Sequence, residues 1–432
     1  MIINKTIIKS KLGKDVFVTF VSQAFIMFTF FVVNKILSNS LGIEGYGQYS
    51  LVKKNTAVIS MIMLGGMGIA LPRFVAYYKA KFETDKVNII VVSSLIIVLL
   101  ISLITIVCAV VFYDTLTNII IGVNEDLKLY YVALLYSFSL CISAYMYSFF
   151  RGYGDFIKFN YAQILIQIII LISCFFVNKQ LLNVLLVWSL LTILATFVII
   201  YRNIFIVIKN VHISESITTL KQSLIEILPF GFTRLLGDFV LFSFNAIPLI
   251  FSNSMFGIKQ TAFFSVGIMI SNMITPLFGF LGMILLPYVS EHAANNNHSH
   301  LKTTVNKLML LYITISIIMT TVISLLLNSF IRFFFNADYL EAKGIANILI
   351  WTIVAQAIYL LLRNPLDAVS KFPLNTINLI VSFIFMVILF MYSNSMIQLS
   401  YSFLLANVLL ALLSIISWYY IYPKFVLNNS TK

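Results

Sequence analysis

Five ionisable side chains stand inside otherwise apolar stretches: Lys35 in VVNKILSNSLG, Lys53 and Lys54 in SLVKKNTAVIS, and Arg234 and Asp238 in LPFGFTRLLGDFVLF. An ionised group in hydrocarbon is costly, so such residues turn toward a protein interior or a wet cavity and mark sites for charged ligands. The lysines and the arginine would hold an anion. Asp238 follows Arg234 by four residues, which puts both on one helix face. That pair has two readings: a cationic contact beside a titratable acid that could couple movement to protons, or a self-neutralising pair that lets a helix insert cheaply. Lys53 and Lys54 either line a cavity or snorkel to headgroups, and Lys35 is either an anion contact or an interfacial anchor. No nucleotide-binding glycine loop, metal cluster or nucleophile–base pair accompanies them. The chemistry is therefore binding, not bond-making, and neither an enzyme nor a cofactor is expected. His292, His298 and His300 in SEHAANNNHSH read as a solvated polar loop, not a metal site.

Apolar helices must position these residues. The chain has 432 residues, of which 61% are hydrophobic and 10% charged, where a soluble domain carries about 25% charged. Apolar runs of about 20 residues, each enough to cross a core of about 30 Å, recur from Val16 to Tyr422. The spacing predicts an all-α membrane protein with twelve spans, at about 16–37, 50–72, 88–112, 129–150, 160–178, 182–201, 228–251, 261–287, 307–330, 345–364, 374–393 and 400–422. The first run reads as a full span and not as a cleaved signal. Cys108, Cys141 and Cys174 fall in apolar runs and read as packing residues. Between the spans, nineteen basic residues fall on one side and five on the other. That bias places both termini in the cytoplasm. The net charge of +13 is mostly this topology signal, and a nucleic-acid partner is not needed to explain it.

The chain repeats itself. LGIEGYGQYS at 41–50 resembles FGIKQTAFFS at 256–265, and the same ungapped offset carries Leu71-Pro72 onto Leu286-Pro287. RGYGDF at 151–156 and DAVSKF at 367–372 form a weaker third anchor. Two six-span lobes follow, 1–202 and 227–432, joined by a cytoplasmic linker at 203–226. Six is even, so the lobes are parallel repeats. A cavity between them and alternating access by rocking are the expected consequences. Lys53 and Lys54 align with Ile268 and Met269.

LGIEGYGQYSLV and LGGMGIALPRFVA resemble the first helical pair of polysaccharide transporters. AFFSVGIMISNMITPLFGFLGMILLPYVSEHA resembles their eighth-span signature, and NADYLEAKGIANILIW is similar to the segment entering span ten. These transporters belong to the multidrug, oligosaccharidyl-lipid and polysaccharide exporter superfamily. The nearest likeness is to Wzx-type O-antigen flippases. The resemblance spans essentially the whole chain and implies a MATE-like fold in a bacterial inner membrane. It implies movement of an undecaprenyl-diphosphate-linked oligosaccharide from the cytoplasmic to the periplasmic leaflet, for lipopolysaccharide biosynthesis. It brings no strict motif, so no residue's role is carried over from it. A head group of that kind needs positive charge for the diphosphate, which Lys35, Lys53, Lys54 and Arg234 could supply. Sugars need hydroxyls, amides and aromatic faces. Tyr136, Tyr145 and Tyr147 of span four and Gln163 and Gln167 of span five are the candidates, with helix packing as their alternative. Asp238 is the coupling candidate, with proton or sodium as the ion. The expected partners are membrane lipid, the lipid-linked oligosaccharide and polysaccharide assembly proteins, and a monomer suffices. A multidrug cation exporter of the same superfamily is one competing reading, though it would favour buried acids. A membrane glycosyltransferase or O-antigen polymerase is another, though it would need a larger outer loop.

Overall fold

The computed structural model describes residues 11–122, 126–176, 180–210, 213–294, 298–369 and 373–429. Among them every regular element is helical. In order these are α1 (Lys11–Leu64), α2 (Met67–Ala80), α3 (Thr84–Val111), α4 (Tyr113–Ile121), α5 (Leu127–Tyr153), α6 (Phe156–Phe176), α7 (Leu181–Lys209) and α8 (Ile213–Ala294). There follow α9 (His298–Leu325), α10 (Leu327–Phe334), a 3-10 turn (Ala337–Ala342), α11 (Lys343–Leu349), α12 (Thr352–Val369), α13 (Leu374–Met391) and α14 (Met396–Asn429).

Two helices are too long for one span. α1 has 54 residues and α8 has 82. Each is broken at a single residue, Gly42 at φ 69°, ψ −176° and Gly257 at φ 81°, ψ 173°. That backbone region is essentially open to glycine alone. Spans one and two are thus the limbs of α1, and spans seven and eight the limbs of α8. Among the described residues, nine helices are long and apolar enough to cross a membrane, and Ala337–Leu349 with Thr352–Arg363, bent by 44°, makes a tenth. Counting α1 and α8 as two spans each gives the expected twelve. The protein is a multi-pass membrane protein.

The two breaks lie 215 residues apart, and that offset carries the first half onto the second. α3 falls on α9, the short α4 on α10, α5 on the bent α11–α12, α6 on α13 and α7 on α14. The sequence predicts connecting loops over 38–49 and 203–226. Instead, the chain stays helical up to Gly42 and resumes directly after it, and α7 and α8 extend over most of the second stretch. Backbone polar groups near a membrane are satisfied most simply within a helix, so the helices continue past the apolar runs.

Contacts divide the chain into two compact units, Met1–Ala246 and Ile247–Lys432. In the first, span four (α5) is central: 67% of its most apolar window is buried, against 28% for span three and 22% for span five. Its Ser137, Ser139, Ser143 and Ser148 are buried and return their hydroxyls to carbonyls one turn back. Small residues of this kind let neighbouring helices approach closely. Leu99, Leu103, Ile104 and Val107 of span three are exposed and form an apolar outer surface. In the second unit, Thr275 donates to Gln356 at 2.9 Å and Gln356 to the buried Asn407 at 3.2 Å, tying spans eight, ten and twelve.

Candidate functional site: a lysine in an aromatic cluster

Lys53 lies eleven residues past the Gly42 break, roughly 16 Å along span two at 1.5 Å per residue. Its Nζ donates to Tyr49 Oη at 2.8 Å and stands 4.4 Å from the centre of the Phe30 ring on span one. Tyr49 is one turn earlier on the same face. Its ring meets Trp188 of span six edge-on at 6.1 Å, and Trp188 packs at 6.1 Å against Tyr136 of span four. Tyr46 completes the cluster 5.8 Å from Tyr49, with its hydroxyl donating to Asn34 Oδ1 at 3.2 Å. Tyr46, Tyr49, Tyr136 and Trp188 are all buried. Spans one and two therefore hold one ammonium against the Phe30 and Tyr49 rings, and Trp188 and Tyr136 of spans six and four pack behind the Tyr49 ring.

This geometry gives Lys53 a direction. It points at span one and not into lipid. The rings favour its positive charge. One of its three N–H groups is committed to Tyr49, leaving two for a ligand. Lys54 follows on the helix, and neighbours in sequence do not share a helix face. It is half-buried and, among the described residues, forms no ion pair. Two cations thus occupy one level of span two on adjoining faces.

The remaining sequence candidates separate. Lys35 is half-buried on span one, and its carbonyl accepts the Ser38 hydroxyl at 3.1 Å. Gln163 accepts from Gln23 Nε2 at 2.8 Å, which ties span five to span one, and Gln167 is half-buried one turn further on. Tyr145 is buried and donates to the Val91 carbonyl of span three at 2.8 Å, so its hydroxyl is engaged in helix packing. Tyr147 packs edge-on against Phe159 at 6.0 Å. Asp238 is half-buried in span seven, and the side chain of Arg234 lies outside the described residues. Of the predicted set, Lys53 and Tyr136 come together in one cluster. Sequence reasoning missed Phe30, Asn34, Tyr46, Tyr49 and Trp188. One signal was present: Tyr49 precedes Lys53 by four residues, hence on its face. Among the described residues, no group of His, Cys, Asp or Glu is placed to hold a metal.

A second set of contacts joins α2 to the start of span seven within the first unit. The Arg73 guanidinium stands 4.2 Å from the centre of the Phe230 ring, Phe74 meets that ring edge-on at 5.8 Å, and Tyr78 Oη donates to Glu226 at 2.8 Å. Burial, followed by the bond to Glu226, pushes the Tyr78 phenol up to about 12, so it remains a donor at neutral pH. Gly66 and Gly231 touch so closely that a Cβ on Gly66 would collide with the Gly231 carbonyl.

Among the solved structures similar over nearly the whole chain, three are the following. One is a multidrug resistance MATE family transporter of the MOP superfamily, inward-facing (TM-score 0.76, 13% identity, covering 94% of this chain and 96% of that one). A second is the lipid II flippase MurJ, inward closed (0.69, 15%, 96% and 90%). The third is a MOP superfamily transporter from Pyrococcus furiosus, described as having a binding pocket of reverse polarity (0.62, 12%, 96% and 94%). At such identities the likeness establishes the fold alone, which is MATE-like. No curated protein matches the sequence. The family described as polysaccharide biosynthesis proteins matches residues 12–293, which takes in both glycine breaks and the Lys53 cluster. This chain belongs to the polysaccharide biosynthesis protein family.

Proposed function

We propose that this protein is a flippase moving an undecaprenyl-diphosphate-linked oligosaccharide, of O-antigen type, from the cytoplasmic to the periplasmic leaflet of a bacterial inner membrane. The observation that carries this reading is Lys53, held in mid-span by Tyr49 and Phe30 with two N–H groups to spare. A diphosphate and several sugars cannot be desolvated into hydrocarbon without a large free-energy cost. The lipid tail can remain in the bilayer while the head group passes protein cations. Lys53 and Lys54 supply two at one level. Gln167 offers an amide to sugar hydroxyls. The two halves would alternate access by rocking, with no covalent step. Asp238 is the residue to which we assign coupling to a proton or sodium ion. A multidrug exporter that attracts cations is disfavoured by the Lys53 ammonium against Tyr49 and Phe30.

The test is complementation. A strain that assembles the matching lipid-linked unit but lacks its own flippase is given this gene, and long-chain lipopolysaccharide is scored on a gel. Rescue by wild type and loss on Lys53→Ala at equal expression is the expected result. No rescue by well-expressed wild type, with the unit confirmed present, would overturn the reading.

A further inference from the structure

The end of the first unit that carries Lys79, Lys86, Arg151 and Lys158 holds a pocket of about 280 Å³ among spans three to six. It is made by residues distinct from the Lys53 cluster. Its lining includes Asn88, Phe149, Tyr153, Asp155, Lys158 and Asn203. A volume near 300 Å³ is at the small end for ligand pockets, suited to a head group and not to an oligosaccharide.

The charged wall comes from the turn RGYGDFIK. Span four ends with Gly154 at φ 70°. Asp155 then opens span five, and its Oδ1 accepts the Lys158 N–H at 3.1 Å. Its Oδ2 meets Lys158 Nζ at 3.0 Å, with the two side chains 33% and 55% exposed. Lys79 Nζ donates to the Tyr153 carbonyl at 2.6 Å and pins the turn from α2. The Phe150 ring lies 5.9 Å from the Lys158 ammonium. One carboxylate and one ammonium are thus held side by side at the pocket, with amides approaching from spans three and six.

That pairing selects a ligand chemistry. A simple anion would gain Lys158 and be opposed by Asp155, and a simple cation would meet the reverse. A molecule with a phosphate beside a primary ammonium exchanges one ion pair for two. Its N–H groups also find the carboxylate and amide oxygens, which a quaternary ammonium would leave unmatched. The basic ends of membrane helices lie at the level of the cytoplasmic headgroups. We propose that this pocket binds the headgroup of a zwitterionic phospholipid, phosphate to Lys158 and primary ammonium to Asp155, as in phosphatidylethanolamine. The inference needs only that this end of the lobe lies at a membrane surface, so it is independent of the transported substrate.

The test uses the full-length protein in detergent, titrated with phosphatidylethanolamine, phosphatidylcholine or phosphatidylglycerol, and read by thermal melting and by native mass spectrometry. Phosphatidylethanolamine should stabilise and be retained most. Asp155→Asn keeps a good helix cap and Lys158→Gln keeps the side-chain length. Each should leave the melting temperature without lipid near wild type and weaken phosphatidylethanolamine retention by about tenfold, as expected for one charge-assisted contact. Phosphatidylglycerol or phosphatidylcholine bound as well as phosphatidylethanolamine would overturn the proposal. So would phosphatidylethanolamine retention unchanged in both variants.

Discussion

At equivalent positions the two halves make the same ring contact with different chemistry. Tyr49 meets Trp188 at 6.1 Å and 77° in the first half. In the second, Phe264 meets Phe403, 215 residues on in each case, at 5.9 Å and 67°. The packing is kept and the polar tips are lost. Lys53 and Lys54 become Ile268 and Met269, Asn34 becomes Leu249, and Tyr46 becomes Thr261. The second half carries its amides elsewhere. Gln356 and Asn407 stand where the first half has Cys141 and Thr192. At the start of each half the order of charge reverses. Thr19 and Gln23 are bonded to Asn160 and Gln163 of span five, and their counterparts are Arg234 and Asp238. The fold therefore demands the rings, since both halves have them. It does not demand a cation at position 53, since isoleucine fills the equivalent place. Packing does not require a lysine at position 53, which is the physical ground for the proposal that it contacts a ligand.

The most severe way to test that contrast is Lys53→Ile, which gives the first half the second half's side chain. The protein should still fold, judged by a single size-exclusion peak, while transport falls at least tenfold, because losing a buried charge contact typically costs about 2–5 kcal/mol. Ile268→Leu should leave transport near wild type. Full activity of Lys53→Ile would return the lysine to the role of an interfacial anchor and erase the asymmetry.

Substituting the two breaks probes what the halves share. Gly42→Ala and Gly257→Ala each force a side chain into glycine-only backbone space, and about 1–3 kcal/mol of destabilisation is expected at each. No atom outside the neighbouring chain would crowd either Cβ, so the penalty is conformational and should be similar in both. Thermal melting of the two variants measures it. One tolerant site and one intolerant site would show that the breaks are not equivalent.

A smaller effect is expected from Tyr49→Phe, which matches Phe264. The ring contact with Trp188 survives, and only the hydroxyl that accepts the Lys53 ammonium is removed. A hydrogen bond to a charged group contributes about 1.5–3 kcal/mol, and the lysine regains part of this by turning to water or ligand. Transport should fall several-fold without being abolished, scored beside Lys53→Ile in the same complementation assay. Loss as complete as in Lys53→Ile would mean that the phenol itself contacts the cargo.

What could be read from the sequence follows from how local each requirement is. The apolar runs and the Gly42–Gly257 register were legible because span length and glycine backbone freedom are properties of single segments. Lys53 stood out as a candidate because a charge among apolar residues is visible by itself. The helical course of 38–49 was not. That stretch contains Gly42, Gly45 and Gly47, and only Gly42 leaves the helix. Trp188 and its contact with Tyr49 were hidden because they depend on the rotation of two spans about their axes. Rotation of span four likewise decides why Tyr136 joins the cluster while Tyr145, nine residues on, is spent on the Val91 carbonyl.

The smallest expected effect lies on α2, beyond the end of span two, where the halves differ again. Tyr78 of the first half bonds Glu226 at the start of span seven, and position 293, equivalent to 78, is an alanine. Tyr78→Phe keeps the ring beside Tyr77 and removes one donor. Glu226 is exposed and recovers water, so the loss should be no more than about 1 kcal/mol, a shift of a few degrees at most in melting temperature. Arg73 and Phe74 still grip Phe230 in this variant. Transport should therefore be unchanged. A marked change in transport with little change in melting would mean that this bond is made in one transport state and broken in another, and that the first half carries a latch at position 78 that the second half lacks.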